Sequence, residues 1–292
     1  ASDHACLRSG GRFATEEVDH LPIATDGIVD LGALDGWLEA NGSDGLLAFA
    51  GANNETGVVQ PAEAIVARAR AAGAGVVVDA VQMPGRVDLR LLANADAVIF
   101  SGHKIGSPKG VGAFVLGSAD RRPRPLVVGG TQETRQRAGT QALALVAAFG
   151  AAAADCSATL VEAPILRRHR DELEARLCAA RPGLLILGAG AERLPQTLAF
   201  VLPGAPAETL AMRFDLEGFA VSAGSACGSG KVAESAVLAA HRAAGLAVGA
   251  ERGLVRLSFG PATLTAELEA FAAAFERVTA LPKALSGQIR AA

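Results

Sequence analysis

Apolar positions in this chain fall into two kinds of run, and their order predicts an α/β architecture. Within Asp96–Leu116, the segment Ala97-Val-Ile-Phe100 is bounded by small residues and reads as a buried strand followed by a glycine-rich turn. Gly45-Leu-Leu-Ala-Phe-Ala50 and Val76-Val-Val-Asp79 read as two more buried strands. Between those two lies a helical stretch from Pro61 to Ala72, with proline in the first turn, where a missing N–H costs nothing, and Gly73 at its end. Strand, helix, strand in that order predicts a right-handed parallel unit. An earlier helix is expected from Leu31 to Ala40.

The pattern changes further along. From Gln141 to Arg181 it is helical and alanine-rich, with an interruption expected near Pro164. Beyond this bridge, Leu184–Leu187, Thr197–Leu202, Phe219–Ser222 and Leu254–Gly260 read as strands, and Ala207–Glu217 and Leu264–Leu281 as helices. The expected organisation is a large domain over residues 1–160 with a mainly parallel sheet, and a small α+β domain over residues 161–292.

Composition narrows the class. The 292 residues suffice for two domains, half of them are apolar, 20% are charged, and the formal net charge is −3. Nothing basic suggests a nucleic-acid partner. The longest apolar stretches, such as Ala142–Ala154, are alanine-rich and shorter than a membrane span, so helical packing is the expected explanation and no transmembrane segment is expected. The four cysteines (Cys6, Cys156, Cys178, Cys227) show no C-x-x-C spacing, which argues against a disulfide framework or a structural metal site and fits a reducing, cytoplasmic setting. The N-terminus carries neither a signal peptide's basic and apolar blocks nor a starting methionine, and the chain reads as beginning partway through something longer.

Several positions carry candidate chemistry, each beside a plainer reading. Lys104 lies just past a buried strand; it either snorkels out of the sheet or, partly desolvated, can lose its proton and form a Schiff base. Asp79 ends another strand, where open α/β sheets collect ligands, although strand-end aspartates also cap helices. Arg256 emerges from an apolar strand and needs an anion, either an internal partner or a ligand. Cys227 sits among small residues in Ala223-Gly-Ser-Ala-Cys-Gly-Ser-Gly230, a loop that cannot pack tightly, so its thiol reads as an exposed one or as a mobile nucleophile.

These segments, in this order, resemble the class V family of pyridoxal-phosphate-dependent enzymes, and most closely the cysteine desulfurases. The resemblance rests on Ser2-Asp-His-Ala5, Ala52-Asn-Asn-Glu-Thr-Gly57, Asp79-Ala-Val-Gln82, Ser101-Gly-His-Lys104 with Pro108-Lys-Gly-Val-Gly-Ala113, Gly129-Gly through Arg137-Ala-Gly-Thr140, Gly224-Ser-Ala-Cys227, and Arg256-Leu-Ser-Phe-Gly260. The match departs from the common pattern at Gly106-Ser107.

The resemblance implies the pyridoxal-phosphate-dependent transferase fold and a residue-by-residue site. Lys104 would hold pyridoxal 5′-phosphate covalently and move the substrate α-proton. Asp79 would pair with the ring nitrogen, Gln82 and Asn54 would meet the ring hydroxyl, and His4 would stack on the ring. Ser101 and His103 would bind the phosphate or assist proton transfer. Arg256, with Asn54, would take the substrate carboxylate, a geometry that arginine's fork supplies. Thr140 would reach the phosphate in the neighbouring subunit of a homodimer. Cys227 would take sulfur from L-cysteine as a persulfide, leaving L-alanine, and pass it to an acceptor protein in iron-sulfur cluster assembly or tRNA thiolation.

The family's Gly-Ala-Thr phosphate turn, which precedes the His4 segment, is not in this sequence. Other readings at this stage are another class V aminotransferase, a selenocysteine lyase, or a cofactor-free, non-catalytic form.

Overall fold

A computed structural model describes residues 1–117, 122–224, 234–249 and 253–280. The chain opens with one helical turn, α1 (Ala5–Arg8), then α2 (Leu31–Asn41), capped by the Asp30 carboxylate on the N–H groups of Gly32 and Ala33. Strand β1 (Leu46–Ala50), helix α3 (Ala62–Ala71) and strand β2 (Gly75–Asp79) form the expected parallel unit. Strand β3 (Ala97–Ser101) adds in parallel beside β2, and β4 (Gly112–Leu116) closes the four-stranded sheet antiparallel, in the order β1-β2-β3-β4.

Register decides where chemistry can gather. Ala50 pairs with Asp79, and Asp79 with Ile99, so the carboxyl ends of all three parallel strands meet one edge of the sheet. Leu34, Ile65, Val66, Val76, Val78 and Met83 pack the core that holds this edge rigid. Each such side chain contributes about 1.5–3 kcal/mol by leaving water.

A short turn, α4 (Gln132–Arg135), precedes the long helix α5 (Leu143–Ala180). Strands β5 (Leu185–Ile186) and β6 (Thr197–Val201), helix α6 (Ala207–Leu216), strand β7 (Ser222–Ala223), helix α7 (Ala236–Ala243), strand β8 (Val255–Ser258) and helix α8 (Thr265–Val278) complete the described residues. The second sheet is antiparallel, ordered β5-β6-β8-β7, and packs Phe200, Phe214, Phe271 and Phe275 between itself and its helices.

Two sequence expectations need correction. Pro164 lies inside α5 without ending it; the buried stripe Ala163, Leu166, Arg170, Leu173 and Leu177 begins at the residue before the proline and holds the helix from there onward. A single missing N–H is too small a loss to break a helix held that way. The apolar stretch around Ala142–Ala154 is also not accounted for by packing within the chain. Leu143 and Val146 stand exposed, and no residue in the most apolar stretch of α5 is buried. By length and composition this is one helix that could cross a membrane.

The two sheets are stitched together beside the site. The N–H of Leu194 donates to Gly57 O at 2.7 Å, and the N–H of Val59 donates to Glu192 O at 2.8 Å. Arg170, buried on α5, donates to the carbonyls of Arg193 and Leu194 at 3.0 and 2.8 Å.

Candidate active site

Three groups of residues meet at the carboxyl edge of the first sheet. The first follows β3. Ser101 ends the strand, and Gly102–Lys104 form one tight 3₁₀ turn. A β-carbon on Gly102 would lie 2.9 Å from Val111 Cγ1 and 3.0 Å from Val111 O, so only glycine lets the turn close on β4. The turn brings Ser101 Oγ to 2.8 Å from His103 Nδ1. Arg86 then fastens the turn from the β2 side, donating to Lys104 O at 3.1 Å and to Gln82 O at 3.0 Å.

The second group surrounds Asp79 at the end of β2. Its Oδ1 accepts the N–H of Val81 at 2.9 Å, which fixes the carboxylate plane. Its Oδ2 is met by the Cys6 thiol at 4.0 Å, too long for a strong bond. Cys6 in turn lies 3.0 Å from His4 Nδ1, which caps α1 by accepting the Cys6 N–H at 3.3 Å. Burial, and then the neighbouring Asp79 charge, push the Cys6 thiol upward, so it stays protonated at neutral pH. The N-terminal segment is pinned beside β1 by Asp3, which accepts the N–H of Ala50 at 3.3 Å.

The third group is the turn after β1. Asn53 Oδ1 accepts the N–H groups of Glu55 and Thr56, both at 2.9 Å, and Asn53 Nδ2 donates to Ser2 O at 2.8 Å. The next residue, Asn54, offers its backbone carbonyl to Arg256 Nη1 at 2.7 Å. Arg256 arrives from β8 of the other sheet, and its Nη2 donates to Ser222 Oγ at 2.9 Å. Its Nε is buried without a protein partner. A carboxylate beside Nε would take the hydrogen that the fold leaves unsatisfied.

The segments that carry His4, Asn54, Asp79, Gln82, Ser101, His103, Lys104 and Arg256 thus lie along one edge of the first sheet. Thr140 is exposed, and among the described residues no hydrogen bond joins it to this group. Cys227 lies outside the described residues. Sequence reasoning missed Asn53, Glu55, Ser222 and Ser235. An asparagine two residues before a backbone N–H is an Asx-turn signal, and it could have singled out Asn53.

This edge thus gathers a lysine from the turn after β3, a carboxylate at the end of β2 and an arginine from the second sheet. The chain belongs to the aminotransferase class-V family, whose model matches residues 2–271. It is 37% identical over 254 residues to a protein of Trichormus variabilis named cysteine desulfurase 2, covering 87% of this chain and 62% of that one. It is 36% identical over 255 residues to a cysteine desulfurase of a Nostoc species, covering 86% of this chain and 62% of that one. Among solved structures, a NifS-like protein from Rickettsia africae superposes with a TM-score of 0.77 at 30% identity, over 88% of this chain and 68% of that one. The fold is that of the pyridoxal-phosphate-dependent transferases. The chain spans about 62% of the length of these curated relatives.

The family's cofactor is pyridoxal 5′-phosphate, and the residues present fit it. Asp79 has one oxygen oriented by the backbone and the other only weakly engaged. Lys104 supplies the amine, and Ser101 with His103 supplies a paired hydroxyl and imidazole. Ser107 Oγ, in the same turn as Lys104, is buried with no partner. These donors and acceptors match a pyridine nitrogen, an aldehyde carbon and a phosphate.

Proposed function

We propose that this chain is the catalytic portion of a cysteine desulfurase, which converts L-cysteine to L-alanine and leaves the sulfur on Cys227 as a persulfide. The observation that carries the reading is the Arg256 guanidinium. It is hooked across from the second sheet onto Asn54 O, with Nε unsatisfied, at the same edge as Asp79 and Lys104. Names of the relatives, and Cys227 in a sequence of glycines and other small residues, favour desulfuration over amino transfer.

Pyridoxal 5′-phosphate, when bound, supplies an electron sink for charge developing at the substrate α-carbon. The protein's residues do the rest. Arg256 binds the α-carboxylate and orients the substrate, with Asn54 beside it. Lys104 takes the proton from Cα and later returns one to the carbon that becomes the alanine methyl group. Asp79 would keep a proton on the ring nitrogen, and Ser101 with His103 would hold the phosphate end. The Cys227 thiolate attacks the substrate sulfur. The Cβ–S bond breaks as the S–S bond forms, so one thiol and L-cysteine become one persulfide and L-alanine, with no outside oxidant.

The reading includes a homodimer, a sulfur-acceptor protein and a cytoplasmic setting. Three free thiols among the described residues, Cys6, Cys156 and Cys178, support a reducing compartment. The exposed apolar half of α5 and the exposed Thr140 loop support a second copy.

The test is an absorption spectrum of purified protein soaked with pyridoxal 5′-phosphate, before and after L-cysteine, with alanine measured alongside. A visible band that shifts on adding cysteine, with alanine formed, is expected. Cys227→Ser should keep the band and lose alanine formation by at least a hundredfold, as for loss of a covalent nucleophile. Alanine formation that survives this change would move the assignment to another class V reaction. A protein that shows no band would be a cofactor-free form.

A further inference from the structure

The residue after Asn54 is a buried carboxylate that the reaction does not use. Glu55 Oε2 accepts from Ser235 Oγ at 2.8 Å, and both residues are buried. Ser235 Oγ also accepts the N–H of Leu238 at 3.3 Å, which makes it the N-cap of α7. Helix α7 belongs to the second sheet's side of the molecule, where Val237 and Leu238 pack with Ala199, Val201 and Leu254.

Two straps therefore leave the 53–57 turn at consecutive residues. Both cross to the second domain. Asn54 O holds Arg256 on β8, and Glu55 holds the start of α7. A shift of the turn that slackened one would pull on the other. Burial raises the Glu55 carboxyl above its usual range, while Ser235, Arg256, Arg8 and His4 favour its charged form. A buried carboxylate held in place by a hydrogen bond loses that fixed position when the bond is removed.

We propose that Glu55 is a positioning residue for the substrate-carboxylate pocket. Its hydrogen bond with Ser235 pins the turn so that Asn54 O holds the Arg256 guanidinium with Nε open to the carboxylate. The proposal rests on the reading above, in which Arg256 takes the carboxylate of an amino acid. The hydrogen bond carries the effect, and the net charge of Glu55 does not.

The experiment is calorimetric titration of cofactor-loaded protein with two probes, L-alanine and ethylamine, which differ by the carboxylate. The native protein should prefer L-alanine. Glu55→Ala and Ser235→Ala should each weaken L-alanine binding about tenfold, the size of one lost hydrogen bond, and leave ethylamine within about twofold. The double variant should be no weaker than either single one, because both remove the same strap. Glu55→Gln, whose amide oxygen still accepts from Ser235, should stay within about threefold of the native protein.

A merely structural role would weaken both probes together. If Glu55→Ala fails to fold, Ser235→Ala carries the same test from the other end of the bond. Variants that keep the native preference for L-alanine would overturn the role of Glu55 alone. Glu55→Gln as weak as Glu55→Ala would also overturn it, since charge would then be responsible. A native protein with no preference for L-alanine would overturn the carboxylate reading of Arg256, and this inference with it.

Discussion

At Asn53 a single side chain satisfies three backbone groups, the N–H groups of Glu55 and Thr56 and the carbonyl of Ser2. At Asn54 the backbone does the holding, through its carbonyl on Arg256. Two identical residues in sequence thus have separate tasks. The resemblance pointed to Asn54 because ligand-facing residues define the family's motif. The internal bonds of Asn53 were invisible to it, because they hold the turn itself and one of them depends on where the N-terminal Ser2 segment docks. Asn53→Ala should cost about 2–4 kcal/mol of unfolding free energy, since it leaves two buried N–H groups without acceptors. Asn54→Ala should stay within about 0.5 kcal/mol, because its carbonyl is unchanged. Urea denaturation of both variants checks this, and equal losses would sink the division of labour. Glu55 and Ser235 were missed for the same physical reason. They lie 180 residues apart, and only the fold makes them neighbours.

Among elements, the parallel strands were legible as short continuous apolar runs, as in Val76-Val-Val, although only one face is fully buried: burial alternates along β2, and Leu46 of β1 and Ile99 of β3 stand exposed. Helix α7 was not anticipated: it has eight residues and follows a segment of small residues whose pattern suggests no element. The edge strand β7 shrank from the expected Phe219–Ser222 to Ser222–Ala223, since Phe219 and Val221 pack into the core as a loop rather than pairing. Helix α5 shows how tertiary packing overrides a local breaker. Its buried positions Ala163, Leu166, Arg170, Leu173 and Leu177 are spaced three and four apart, one continuous stripe on a helix. Pro164 lies beside that stripe and is exposed, so it contributes no packing while leaving one carbonyl without its helical donor. Pro164→Ala should therefore raise stability by about 1–3 kcal/mol, read as a higher urea midpoint at unchanged slope. A neutral or lower midpoint would mean that the proline shapes α5 in a way the native packing needs.

For the whole molecule, the fold class and the edge on which the site gathers were legible from the order of motifs, whereas the surfaces left uncovered were not. Periodicity reports which face of an element is apolar, and it is silent on what covers that face. The first half of α5 is the clearest case. Leu143 and Val161 lie about five turns apart at 3.6 residues per turn, so they share a face, and they are 74% and 79% exposed. Gly150 lies between them on the exposed side, with nothing within 4 Å of where its β-carbon would stand. In water such a stripe favours association, and small residues let two helices approach closely. A second copy of the chain is the occupant the family reading calls for, which leads to a sharp expectation for Gly150→Glu. In the monomer the change is harmless or mildly stabilising, because an exposed helical glycine gives way to a better helix former, worth about 0.5–1 kcal/mol. In a dimer it would bury a carboxylate against its own copy, which is strongly unfavourable. Light scattering should therefore give twice the chain mass for the native protein and one chain mass for Gly150→Glu, with equal or higher thermal stability per chain at low concentration. A native protein that stays monomeric at micromolar concentration would sink the second copy as the cover of α5. One that instead partitions into lipid vesicles would assign the helix to a membrane.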